Sequence, residues 1–388
     1  MLAGRVDEVR AFAVLLERLR RGHSEQSMIM TGLRGVGKTV LLTTFEEQAR
    51  SAGWVTAEAE ITKHADFAGR MATLARRALL QVAPAAKWRE RARHAAGVLR
   101  SFQVTVTPQG ELTAGLGGVE PLEGLGDTGQ LNDDLTDVFV SLGEAARDHD
   151  TGVVFLFDEV QFLALRELEA LIAALHKTVQ RSLPITLVGA GLPQLPELAG
   201  EAKSYAERLF KFPAVGSLPQ EDALRAVMGP AEGLDVTFEP GAAEQIVEYA
   251  DGYPYFLQEY GFILWTTASE SPIQGDDVER ARELVEAKLD GSFFKVRADR
   301  TTELELQYLR AMAELGPAPQ QAKDVAQVLA RRSESLGPTR ARLIDKGLLY
   351  TPGYGLAAFT VPQFDAYLRR TYALQPSPTS TKVSQQEL

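Results

Sequence analysis

Apolar residues recur at helical spacing between Arg5 and Arg21, with Val9, Phe12, Leu15, Leu16 and Leu19 on one face, and predict an N-terminal helix. The pattern then shortens. "SMIMT" (27–31) reads as a buried strand, Val40 to Ala49 as a helix, and "GWVTAEAEI" (53–61) as a second strand. Helical spacing continues to about Arg100, and another helix is expected from Asp133 to Arg147. "GVVFLFDE" (152–159) is a continuous apolar run ending in two carboxylates, followed by a long helix from Phe162 to Gln180. "PITLVGAG" (184–191) and "LFKFPAV" (209–215) complete the strands. Strands alternating with helices predict an α/β fold, a parallel sheet covered on both faces.

Two stretches depart from that rhythm. In residues 101–131, "FQVTVT" and "ELTAGL" alternate with period two around "PQG", which predicts a hairpin with a flexible glycine-rich return. After residue 217 the strands stop. Residues 218–291 predict about four helices, and 301–372 two or three helices followed by a strand–turn–strand, "GLLYTPGYGLAAFTV", with Pro352 and Gly353 at the turn. The expected domains are an α/β core over 1–216, an all-α lid over 217–298 and a third module over 299–374, with a polar, disordered tail over 375–388.

Composition narrows the function classes. Hydrophobic residues make up 45% of the 388 and charged ones 24%, as a packed globular protein requires. The absence of cysteine excludes disulfides and thiolate metal sites. No apolar run approaches the roughly 20 residues of a spanning helix, and the N-terminus has no signal-peptide core, so a cytoplasmic protein without membrane contact is expected. A net charge of −11 argues against a general nucleic-acid coat.

The chemistry gathers at two places. "GLRGVGKT" lies between a predicted strand and a predicted helix and fits G-x-x-x-x-G-K-T, a phosphate-binding loop. Glycines let the main chain curl around an anion, and the helix N-terminus adds its dipole. Gly32, Leu33, Arg34, Gly35, Val36, Gly37, Lys38, Thr39 and Val40 are therefore the expected triphosphate-binding residues, with Lys38 at the β/γ-phosphates and Thr39 at Mg²⁺. Asp158 is expected to hold the metal's water shell from the end of its strand. Glu159 is placed to deprotonate an attacking water, although the same acidic pair also suits capping of the following helix. No N-K-x-D guanine-reading motif stands in a suitable place, which favours ATP over GTP.

These segments resemble the AAA+ and STAND group of P-loop ATPases, in particular its archaeal-type, replication-initiator-like branch. The likeness runs over about residues 3–372: "AGRVDEVRAFAVLL", "GLRGVGKT" (Walker A), "VVFLFDE" (Walker B) and "ADGYPYFLQEYG". It implies that Gly4, Arg5 and Val6 lie against the adenine, and that Gly252 and Pro254 approach it from the lid. It also implies an arginine that reaches the γ-phosphate of a neighbouring copy, best matched by Arg208, and hence a homo-oligomer. One departure stands out. The strand "ITLVGAG" should end in a polar residue that senses the γ-phosphate, yet Gly189, Ala190 and Gly191 carry no donor, and Gln194 is the first polar candidate. Slow hydrolysis, suited to a switch, is the expectation.

"DVAQVLARRSESLGPTRARLIDKGLLYTPGYGLAAFTV" reads as a winged helix-turn-helix, with Pro338 opening its second helix. Turning residues through 100° each places Leu343, Ile344 and Gly347 inward and Thr339, Arg342 and Lys346 outward, as candidate contacts to duplex DNA. From Arg331 to Lys346 there are five basic and two acidic residues, +3 locally. Three readings remain open: a DNA-acting ATPase switch, a signalling or scaffold ATPase whose winged helix binds protein, and a nucleotide-binding module with little turnover.

Overall fold

A computed structural model describes residues 3–63, 65–106, 116 and 119–374. The chain divides into two compact units, Leu2–Gly32 with Val36–Gly216, and Leu33–Gly35 with the chain from Ser217 onward. Among the described residues no helix is long and apolar enough to cross a membrane.

The first unit runs α1 (Val6–Arg20), β1 (Ser27–Thr31), α2 (Lys38–Ser51), β2 (Val55–Glu60), α3 (Phe67–Val82), α4 (Glu90–Val106), α5 (Leu131–Asp148), β3 (Val153–Asp158), α6 (Leu165–Gln180), β4 (Ile185–Gly191), α7 (Leu195–Ala202), α8 (Ala206–Leu209) and β5 (Phe210–Lys211). Its five strands form a parallel sheet in the order β2-β3-β4-β1-β5. β3 is buried along its length until Asp158, as a strand covered on both faces must be. Its side chains alternate: Val153, Phe155 and Phe157 join the large apolar core with α3 to α6, while Val154 and Leu156 point to the other face. Phe155 stacks on Phe139 of α5 with ring centres 4.8 Å apart. Phe12 of α1 stacks on Phe45 of α2 at 4.6 Å. Parallel pairing matters for function because Thr31, Asp158 and Gly191 all emerge at one edge of the sheet.

The hairpin expected over 101–131 is corrected in its first half. Phe102 to Val106 end the helix α4, with Val98, Leu99 and Phe102 buried at helical spacing. Its second half, Glu111 to Ala114 with Gly115, lies outside the described residues. The return is pinned rather than loose in its described part. Asp134, 2% exposed, accepts hydrogen bonds from the Thr128 N–H at 2.8 Å, the Thr128 hydroxyl at 2.7 Å and the Gly129 N–H at 3.0 Å.

The second unit begins with four helices, α9 (Gln220–Glu232), α10 (Ala242–Ala250), α11 (Pro254–Thr267) and α12 (Gly275–Lys288). A π-helical turn (Leu289–Phe294) leads into α13 (Lys295–Ala298). Then come α14 (Glu303–Leu315), β6 (Gln320–Gln321), α15 (Ala322–Val328), α16 (Ser333–Asp345), β7 (Leu349–Tyr350), β8 (Leu356–Phe359) and α17 (Phe364–Thr371). The short strands form an antiparallel sheet in the order β6-β8-β7. Phe294 stacks on Phe364 and Tyr367, so the residues on either side of the expected 298/299 boundary share one aromatic cluster. The expected tail, 375–388, lies outside the described residues.

Two placements in α16 are corrected. Pro338 lies inside the helix, which starts at Ser333. Thr339 is 1% exposed, not outward. It stands three residues after Leu336 and four before Leu343, both buried, so it shares their face. Arg342 on α16 and Lys346 at its C-cap lie exposed, the Arg342 side chain 51% so, but not as isolated cations. Both pair with Glu305 of α14, at 3.0 and 2.6 Å, and that carboxylate is fully buried.

Burial alone would raise the Glu305 carboxyl. The hydrogen bonds from Lys346, the Thr302 N–H and Arg342 outweigh it and hold the group at about 2. Because the folded value lies below the ordinary 4.5, the stabilisation is complete above pH 4.5 and falls away as pH drops toward 2. Glu305→Gln is expected to destabilise the second unit by about 2 kcal/mol at pH 7 and to flatten this acid limb. Urea unfolding of both proteins at pH 7 and pH 3 checks it; equal losses on acidification would contradict it.

Candidate active site

The glycine–lysine loop joins β1 to α2 at the C-terminal edge of the sheet, where the parallel strands present their ends. Gly37 caps α2 in the left-handed region, φ 93° and ψ 18°, with no side chain covering the first turn and no acidic residue in it. The N–H groups at that helix start have no intrahelical partner, so they could receive an anion with the helix dipole behind them. Gly32 is required for a different reason. A Cβ there would stand 2.0 Å from the Val215 carbonyl oxygen. The main chain is drawn that close because the Val215 N–H bonds the Thr31 carbonyl at 2.7 Å and the Gly32 N–H bonds the Gly191 carbonyl at 3.1 Å.

Lys38 folds back so that Nζ donates to the Gly32 carbonyl at 2.9 Å, which holds its ammonium across the mouth of the loop. Thr39, in the first turn of α2, donates its hydroxyl to Asp158 Oδ2 at 2.6 Å, joining residues 119 apart in sequence. The other carboxylate oxygen of Asp158 accepts the Glu159 N–H at 2.8 Å. Glu159 itself is held at φ 56°, unusual for a side chain of its size, at the point where β3 gives way to a 3-10 turn, Val160–Phe162. Strained backbone of this kind costs on the order of 1–3 kcal/mol and gathers at sites that need fixed geometry.

The donor set suits a hard divalent cation with few protein ligands. Thr39 and Asp158 supply two adjacent oxygens, and among the described residues no cluster of three or more His, Cys, Asp or Glu could hold a metal by itself. Mg²⁺ fits, since it keeps most of its waters and takes the rest of its shell from phosphate.

Arg5 is 7% exposed, and its guanidinium donates to the Val36 carbonyl at 3.2 Å and to the Gly216 carbonyl. It ties the loop backbone to the end of the unit. Gly4 has φ 66°, and Val6 and Val40 leave apolar side chains at the surface, 59% and 52% exposed. Arg208 is exposed on the short α8. Leu33 to Gly35 belong with the second unit, in which the Tyr253 hydroxyl donates to the Arg34 carbonyl and the Tyr255 N–H to the Gly35 carbonyl at 3.2 Å. There Gly252, φ 61°, follows α10, and Pro254 opens α11.

Sequence reasoning passed over Gln161. Its Oε1 accepts the Leu192 N–H at 3.1 Å and its Nε2 donates to the Glu159 carboxylate. The available signal was the bare end of β4: a side chain at Gly191 would collide with Gln161 Oε1 at 2.3 Å.

Residues 1–188 match the AAA ATPase domain family, and residues 291–368 match a domain of unknown function. No curated protein matches the sequence. Among solved structures, the chain is similar to the Thermotoga maritima RuvB Holliday junction branch migration motor, at 16% identity over 95% of this chain and 96% of that one, with a TM-score of 0.46. It is similar to Cdc6p from Pyrobaculum aerophilum at 14% identity over 95% and 94%, TM-score 0.47. The Aeropyrum pernix Orc1 protein in complex with DNA gives 15% over 96% and 93%, TM-score 0.43.

Proposed function

We propose that this chain, whose residues 1–188 match the AAA ATPase domain family, binds Mg·ATP and hydrolyses it slowly as a switch. The observation that carries the reading is the 2.6 Å contact between Thr39 and Asp158, which unites the two motifs on one edge of the sheet. Main-chain N–H groups from Gly35 to Thr39 take the phosphate oxygens. Lys38 exchanges the Gly32 carbonyl for the β/γ-phosphates. Thr39 and Asp158 hold the cation, which supplies charge neutralisation at the transferred phosphoryl group. Glu159 accepts the proton of the attacking water. Exposed Val6 and Val40 offer apolar surface to a base, with Gly4 and Arg5 shaping the chain around it.

Arg208 is the residue we assign to a neighbouring copy's γ-phosphate, because it is an exposed arginine on a short helix just ahead of the edge strand β5. A turnover assay tests both parts. Phosphate release is expected to need Mg²⁺ and to rise more steeply than linearly with protein concentration. Chelation should abolish it, and Arg208→Ala should lower it by about 10³-fold or more. Turnover untouched by chelation would overturn the metal site, and Arg208→Ala turnover equal to wild type would overturn the arginine assignment.

For the winged-helix-like module, a protein partner is the better-supported reading. The pairing of Arg342 and Lys346 with Glu305 offsets the charge of two of the basic side chains on which a DNA face would rest. Duplex DNA titrated across a salt series should show no steep salt-dependent affinity; a slope of several phosphate contacts would restore the DNA reading.

A further inference from the structure

We propose that Gln161 is a positioning residue that fixes the carboxylate of Glu159 against the end of β4. The inference rests on the hydrolytic reading above and deepens it.

The amide has one orientation. Leu192 can only donate through its N–H, so the atom it meets at 3.1 Å must be the oxygen, and the nitrogen must face Glu159. Leu192 is 3% exposed and directly follows β4, so its N–H has no water to fall back on. Gln161 reaches it because the left-handed residue at 159 and the 3-10 turn that follows send the chain back over the sheet edge. The Phe162 N–H bonds the Glu159 carbonyl at 3.0 Å and the Leu163 N–H bonds the Val160 carbonyl at 3.1 Å to close that turn.

The neighbouring strand is cut away to receive it. A Cβ at Gly191 would meet Gln161 Oε1 at 2.3 Å and Leu195 Cδ1 at 2.5 Å, and one at Gly189 would meet Val160 Cγ2 at 3.0 Å. The two glycines that leave β4 without a polar side chain are thus the ones that admit Val160 and Gln161. The bridge runs from a carboxylate, through one amide, to the main chain of the central strand next to β1. A shift at the β4 end therefore reaches Glu159 through a single side chain.

The test has two arms, one of them without nucleotide. In the free protein, hydrogen exchange at the Leu192 amide is expected to quicken about tenfold in Gln161→Ala. It should also quicken in Glu159→Ala, although Glu159 does not itself bond Leu192. With ATP, Gln161→Ala should lower kcat about 10- to 100-fold while nucleotide Kd stays within about twofold. In a Glu159→Gln background the same change should add nothing, since the two residues act as one unit. Gln161→Glu, which keeps the shape but loses the N–H donor, should not restore turnover.

Unaltered Leu192 exchange in Gln161→Ala would overturn the bridge. Unaltered kcat in Gln161→Ala, with active wild type, would overturn the positioning role alone. A wild type that turns over no ATP would overturn the hydrolytic reading, and the positioning role with it, whatever Leu192 does.

Discussion

Lys38→Ala is expected to abolish measurable ATP binding, whereas Glu159→Gln keeps binding and loses turnover by about 10²–10⁴-fold. The two residues are expected to act at different stages. Lys38 carries the compact positive charge that the loop holds across its mouth through the Gly32 carbonyl. Its loss removes an interaction made in both ground and transition states, so affinity falls first. Glu159, in the proposed role of base, would accept a proton only as the water attacks. Its amide replacement leaves size and hydrogen bonding nearly intact, so affinity holds and chemistry fails. Calorimetry with Mg·ATP, paired with phosphate release, separates the two. Glu159→Gln turning over at the wild-type rate would remove it as the base.

Gly32→Ala should be the most damaging single methyl group in the core. The added carbon would stand 2.0 Å from a main-chain oxygen, so β1 or the segment at Val215 must move. Both are held by the Thr31–Val215 and Gly32–Gly191 hydrogen bonds, which leaves no cheap direction. A loss of about 3 kcal/mol or more in stability, with ATP affinity lowered at least 100-fold, is expected. Gly37→Ala offers the contrast. Nothing lies within 4 Å of a Cβ there, and only the left-handed backbone, φ 93°, resists it, for about 1–2 kcal/mol. Thermal unfolding of the pair measures the difference; equal effects would contradict the close-approach argument.

β3 was legible because it is an unbroken apolar run up to Asp158, and the loop because glycine, lysine and threonine spacing has few other uses. Residues 102–106 misled because Val and Thr favour strands locally, while Phe102 at four positions from Val98 binds the segment to the helical core. Thr339 misled through its assumed helix start and face. Glu305 could not have been read at all as the partner of Arg342 and Lys346, since no local spacing links residues 37 and 41 apart. Gln161 was half visible: the glycines of β4 announced an absence, and only packing revealed what filled it.

The most direct test is a crystal structure of the chain with Mg²⁺ and a non-hydrolysable ATP analogue. It is predicted to show the phosphates cradled by residues 35–39 and the cation about 2.1 Å from the Thr39 hydroxyl, with Asp158 in its coordination or water shell. Nucleotide bound elsewhere, or none at millimolar analogue, would contradict the account.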